Sequence, residues 1–239
     1  MNNFEAAQKF LHESAWKSGS TVLSGSKPAL ELPLAKNEQI IPLPDPGMLH
    51  DHHVNFLEMV ELRSTVRQYS NVPLTLEELS YLLWCTQGVK AANPNMTLRT
   101  VPSAGASHSL ETYILLNNVS GLAKGIYRFL AIEHALIPVS ADIEAVMKCF
   151  STYKVVHNSA VVFIWSTVIE RLSFKFGLRG YRYAFIDAGH VCQNLYLAAQ
   201  TINTGVCPLG AFEDEKLNEL LNFDNDKQFV IYGAAMGKV

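Results

Sequence analysis

The chain has 239 residues, 49% hydrophobic and 17% charged, with a formal net charge of −3 at pH 7. That suffices for one sizeable core, or a core with an added arm, and it argues against general binding to nucleic acid, which needs a field of Lys and Arg. No apolar stretch after a basic start marks a secretory signal near Met1, and no run approaches the roughly 18 apolar residues of a membrane span, so a cytoplasmic protein is expected.

In chain order, Phe4, Ala7, Phe10, Leu11 and Ala15 recur at helical spacing and predict a short amphipathic helix over residues 4–16. From Ser18 to His50 the pattern dissolves into Gly19, Gly25, Pro28, Pro33, Pro42, Pro44, Pro46 and Gly47, which resist regular structure. Residues 1–50 are therefore read as a helix and a long arm, ahead of a domain spanning 51–239. The cluster His50, Asp51, His52 and His53 has the residue types of a metal site, but adjacent histidines rarely aim at one ion, and no metal is expected. Thr75, with Glu78 three positions on, forms a capping box ahead of Leu79, Leu82 and Leu83, and Gly88 supplies the stop.

Thr112–Leu116 and Gly125–Phe129 read as strands, and Ser140–Phe150 as a helix whose Asp142 and Glu144 suit its N-terminal dipole. Ala160–Ser166 is a continuous apolar run of strand length, as expected of a central strand covered on both faces. Tyr181–Ile202 is the longest helical segment. It is apolar around much of its circumference and carries Ala184, Ala188, Gly189, Ala198 and Ala199, which predicts a helix buried on all sides, with room for a second helix at a dimer centre. His190 on it reads as a satisfied polar residue, with Asn194 one turn later as partner. Phe229–Tyr232 is the last strand. Strands and helices intermixed with both short and long connections indicate an α+β fold. Cys85, Cys149, Cys192 and Cys207 show no C-x-x-C spacing, so neither a disulfide framework nor a zinc site is indicated.

Two segments suggest a phosphate-bearing ligand. In Leu62–Tyr69, Arg63 and Arg67 offer planar donor forks that match phosphate oxygens, while Ser64 and Thr65 add short hydroxyls. In Val101–Ser107, the small residues Ala104 and Gly105 let backbone approach a ligand closely.

With Arg63–Tyr69, Leu74–Leu79 and Arg99–Ala106, then Gly125–Arg128, Tyr181–Tyr183, Gly189–Leu195 and Cys207–Phe212 in this order, residues 57–238 resemble the nitroreductase superfamily of flavoproteins. Within it they resemble the SagB-type branch that includes azoline dehydrogenases. The resemblance implies a central, mostly antiparallel sheet flanked by helices, and a domain-entwined homodimer binding FMN non-covalently at the subunit interface. By position, Arg63, Ser64, Thr65 and Arg67 would hold the phosphate, ribityl chain and pyrimidine edge, with Arg67 as the cation near N1. Pro102, Ser103, Ala104, Gly105 and Ser107 would reach the flavin of the other subunit. Leu209, Gly210 and Ala211 would run along the ring near N5, and Lys238 would close on the phosphate. His108, which ordinarily titrates near neutrality, is the candidate proton donor facing substrate.

The implied activity is hydride transfer through flavin N5 between NAD(P)H or an organic substrate and a small acceptor such as a quinone or nitroaromatic. No G-x-G-x-x-G stretch offers a separate nicotinamide site. Azoline oxidation is the alternative, with Lys175 in the lysine position; a non-catalytic or flavin-consuming FMN-binding protein is another. The sequence departs from azoline-oxidising relatives at Phe174–Lys175–Phe176, where a Lys-Tyr pair is usual, and from many nitroreductases at Leu209–Gly210, where an acidic residue is usual.

Overall fold

The computed structural model describes residues 3–16, 26–49 and 55–239. In chain order it contains α1 (Asn3–Glu13), β1 (Ile41–Pro42), α2 (Phe56–Leu62), α3 (Leu76–Gln87), β2 (Val89–Asn93), β3 (Met96–Arg99), β4 (Leu110–Leu116), β5 (Gly125–Leu130) and β6 (Ala135–Val139). There follow α4 (Ile143–Lys148), α5 (Tyr153–Asn158), β7 (Val161–Val168), α6 (Glu170–Phe176), α7 (Gly180–Thr201), β8 (Thr204–Leu209), α8 (Asp214–Leu220) and β9 (Gln228–Lys238).

Strand periodicity sets the layers. Along β7, Val161, Phe163 and Trp165 face one core and Val162 and Ile164 the other, because successive strand side chains point to opposite faces. β4 does the same with Ile114 and Leu116 against Tyr113 and Leu115. The first core is closed by Leu79, Leu82 and Leu83 of α3 with Val191 and Leu195 of α7, the second by Val146 and Met147 of α4 with Leu217 of α8. The seven strands pair antiparallel throughout, in the order β1-β6-β5-β4-β7-β9-β8. A central antiparallel sheet flanked by helices is thus the observed α+β architecture.

The capping box is present: Thr75 Oγ1 accepts from Glu78 N at 3.2 Å, and Glu78 Oε2 accepts from Thr75 N at 3.0 Å. Other expectations need correction. The last strand runs on to Lys238, because Gly233, Ala234 and Ala235 are small enough to lie under the covering layers. The hairpin β2–β3 and the helices α5, α6 and α8 have too few residues to show a period, and the sequence did not reveal them. The longest helix is not buried all round: Phe185 (58% exposed), Ile186, Gly189, His190 and Gln193 form an open face.

Residues 26–49 of the arm pack on their own chain. Ile41 and Pro42 add a strand to β6, Glu31 Oε1 accepts from Ala131 N at 2.7 Å, and Arg128 donates to the Leu32 and Pro33 carbonyls. The cluster His50, Asp51, His52 and His53 lies outside the described residues. No helix among the described residues is long and apolar enough to cross a membrane.

Candidate active site

Arg63 closes α2, and the extended residues after it lie along β8. Val66 N donates to the Val206 carbonyl at 2.9 Å, Thr65 bridges Val206 in parallel, and Ser70 N donates to the Lys238 carbonyl at 2.8 Å. Glycine permits this approach: a Cβ on Gly205 would stand 2.5 Å from Val66 Cβ, and one on Gly237 2.9 Å from Tyr69 Cβ. Thr65 Oγ1 and the Tyr196 hydroxyl share a 2.8 Å hydrogen bond, and the Arg63 guanidinium lies 5.1 Å from the centre of the Tyr196 ring. Ser64 lines a cavity of about 210 Å³ with Tyr196, Gln200 and Gly205. Arg67 is exposed, and neither it nor Arg63 has a carboxylate partner among the described residues.

Lys238, expected as a further phosphate cation, is differently placed. Its ammonium is paired with Glu78 and donates to the Ile202 carbonyl at 2.9 Å. One carboxylate therefore serves both the α3 capping box and Lys238, so the structure does not leave this lysine free. At the far end of β8, Leu209 is buried opposite Gly233, while Gly210 and Ala211 are exposed.

The second set gathers around the loop 102–108. Ser103 Oγ donates to Asp187 Oδ2 at 2.6 Å, Ala104 N donates to Asp187 Oδ1 at 3.2 Å, and His108 N donates to Ser103 Oγ at 2.9 Å. Gly105 adopts φ +56°, a left-handed conformation, and its carbonyl accepts from Lys175 Nζ at 2.6 Å. Pro102 is exposed beside this turn and Ser107 half-buried within it. Burial pushes the Asp187 carboxyl up, and its bonds to Ser103 and Ala104 draw it back. Burial, then the nearby Lys27, lowers the Lys175 ammonium.

His108 lies inside the protein, near Arg99. Burial, then the Arg99 guanidinium, pushes its imidazole down to about 4, and the side chain is 6% exposed. At neutral pH the ring is uncharged, so this environment does not make it a proton donor titrating near neutrality. His190 is exposed, and Asn194 donates instead to the Cys85 carbonyl at 3.0 Å.

Within one chain the two sets do not meet. Tyr196 and Asp187, which anchor them, sit nine positions apart on α7, about 14 Å at 1.5 Å per residue. Both anchors escaped the sequence reading. A carboxylate in the middle of an apolar helix is the one signal that could have revealed Asp187, since a buried charge requires partners. Nothing in the local pattern distinguishes Tyr196 from a core aromatic.

A family model described as "Nitroreductase family" matches residues 60–238. A Methanocaldococcus jannaschii protein provisionally named a nitroreductase is 34% identical over 66% of this chain and 80% of its own length. The trifolitoxin-processing protein TfxB of Rhizobium leguminosarum is 23% identical over 93% of this chain, which spans 60% of TfxB. Among solved structures, a provisionally named nitroreductase of Ralstonia eutropha superposes with a TM-score of 0.71 at 21% identity, covering 91% of this chain and 97% of its own. A chain of the Escherichia coli microcin synthetase McbBCD complex gives 0.63 at 19% identity, covering 98% and 92%. A Desulfovibrio desulfuricans protein solved in complex with FMN gives 0.53 at 13% identity, covering 78% and 87%. This chain spans only 37% of a solved Anabaena variabilis nitroreductase chain, with a TM-score of 0.64 at 28% identity over 76% of its own length.

Proposed function

The chain belongs to the nitroreductase family, and we propose that it is an FMN-dependent oxidoreductase acting between NAD(P)H or an organic substrate and a small acceptor such as a quinone or nitroaromatic. The observation that carries this reading is the pair of guanidiniums without a counter-ion among the described residues, Arg63 and Arg67, beside the Ser64 and Thr65 hydroxyls on a strip pressed flat on β8. Such a strip suits a dianionic phosphate and its polyol chain, because guanidinium forks bind phosphate oxygens bidentately. When bound there, FMN supplies hydride acceptance and donation at its N5.

The residues divide the remaining work. Arg63, Ser64 and Thr65 hold the phosphate end, while Arg67 sets positive charge against the pyrimidine edge and favours the reduced ring. Leu209, Gly210 and Ala211 offer backbone along the ring near N5. Pro102, Ser103, Ala104, Gly105 and Ser107 shape the site of a second subunit. That last assignment requires a homodimer, and the open face of α7 with the exposed apolar residues Phe56, Leu57 and Val60 of α2 supports one. Lys238 enters the phosphate site only if it leaves Glu78.

The test is the visible spectrum of the purified protein, chromatography of any released chromophore, and turnover with NADH or NADPH and a quinone. Released FMN with turnover is expected. A colourless protein that takes up no added FMN removes this chemistry, and a yellow protein without turnover favours a non-catalytic flavin-binding role.

A second reading, azoline oxidation in a peptide-modifying pathway, is favoured by the likeness to TfxB along nearly the whole chain and by Lys175 lying against the Gly105 loop. Phe176 cannot supply a phenolic proton there, which leaves the lysine to carry the step. Lys175→Ala should then abolish oxidation of an azoline peptide with flavin still bound, and retained oxidation would refute the role.

A further inference from the structure

Where the arm meets α6, a small cavity carries two ammonium groups and, among the described residues, no acid to balance them. Lys27 of the arm and Lys175 of α6 line it together with Ala29, Ala106, Ser107 and Arg171. Lys27 donates to the Asn95 carbonyl and Lys175 to the Gly105 carbonyl. An ammonium has three donors, so each retains capacity for more. Their charges act on one another, for Lys27 contributes to lowering Lys175.

Arg171 adds nothing free to this balance. It is paired with Glu111 at 2.7 Å, both side chains being 4% exposed, and it donates to the Ala29 and His108 carbonyls at 2.8 and 3.2 Å. Neither lysine has an Asp or Glu partner among the described residues. The Ser107 Oγ is buried in the same wall and has no hydrogen-bond partner there. Two ammonium groups on one cavity repel each other, and a buried hydroxyl without a partner is unfavourable. A bound anion relieves both at once.

We propose that this cavity binds a carboxylate carried by the organic substrate, with Lys27 and Lys175 as its charge partners and Ser107 Oγ as a hydrogen-bond donor. Its volume of about 20 Å³ exceeds the ~10–15 Å³ that one water needs and matches the oxygen end of a carboxylate better than a bulkier phosphate. The remainder of the ligand lies outside, towards the loop 102–107. This deepens the proposed function and rests on it for the identity of that remainder.

The test is calorimetric titration of the purified protein with para-nitrobenzoate and with its uncharged counterpart para-nitrobenzamide. The acid should bind about tenfold more tightly, as expected for hydrogen bonds to a charged group. Lys27→Met should erase the preference, Lys27→Arg should keep it, and Ser107→Ala should reduce it. Equal affinity for acid and amide, or a preference that survives Lys27→Met, overturns the proposal. Acetate binding as tightly as para-nitrobenzoate overturns it too, by making the site one for free small anions. Flavin content is read separately on the same samples. Acid preference in a colourless protein keeps the subsite and removes the flavin chemistry, whereas a yellow protein without preference does the reverse.

Discussion

At the Tyr196 end of α7 two guanidiniums stand without a carboxylate among the described residues, whereas at the Asp187 end Ser103, Ala104, Gly105 and His108 are all tied within the chain. The first region is an electrostatic deficit, which the proposed phosphate would complete. The second is built as a fixed shape, its hydrogen bonds made before any ligand arrives. Binding free energy can be lost at the first with little effect on folding, while the second should lose stability before it loses chemistry.

Five expectations test that contrast. The largest concerns Arg63→Ala, which should strip flavin during purification, since hydrogen bonds to a charged group are worth about 1.5–3 kcal/mol each. Its urea midpoint should barely move. Full flavin occupancy in the variant, read from the visible spectrum, would count against the phosphate assignment.

Asp187→Ala should do the opposite, lowering stability by about 1–3 kcal/mol because the half-buried Ser103 and Ala104 donors lose their buried acceptor. An unchanged denaturation curve would mean the loop is held by something else. Gly205→Ala strains the Tyr196 end sterically, with its new methyl 2.5 Å from Val66, and should cost about 1–3 kcal/mol. Wild-type stability there would show that the 63–70 strip can lift from β8.

The pH dependence is subtler, because two groups oppose each other. His108 refuses a proton until about 4, while its unfolded form accepts one near 6.5, so it withdraws stability as pH falls through that window. Glu31, pushed up to about 7 by burial and then by Glu133, keeps its proton while the unfolded carboxyl releases one near 4.5, so it withdraws stability as pH rises. The wild type should therefore show a shallow profile between them. His108→Gln should expose a fall with rising pH and Glu31→Gln a fall on acidification, each at most about 1.4 kcal/mol per pH unit. Parallel profiles for the three proteins would discard the pairing.

The smallest expected effect on the single chain is at Gly189, whose added Cβ meets no heavy atom within 4 Å. Gly189→Leu should leave subunit folding within about 0.5 kcal/mol. If α7 packs against a second copy, the same change should shift sedimentation from dimer to monomer, and an unaltered sedimentation profile would move the interface elsewhere.

Local chemistry made much of this legible in advance. Thr75 and Glu78 declare a helix start through their own side chains, and the Ala160–Ser166 run declares a two-faced strand through composition alone. Arg63, Ser64 and Thr65 could likewise be named as a group because three neighbouring residues share one strip. What could not be read depends on residues far apart in the chain. Lys238 meets Glu78 across 160 positions and Ser103 meets Asp187 across 84, and no periodicity encodes either meeting. What covers the open face of α7 was not legible either, because Phe185 and Ile186 are apolar whether they face a core, a partner or water.

β9 carries a consequence for how the molecule comes into being. It lies between β7 and β8, so β8 has no strand to pair with in the sheet until residues 228–238 have been synthesised. The 63–70 strip, made more than a hundred residues earlier, pairs with Val206 and with the Lys238 carbonyl. At about 5–20 residues per second, that strip waits on the order of ten seconds for its support. During that interval Arg63 and Arg67 have no scaffold, and the edge proposed to hold the ligand is the last part of this fold to exist.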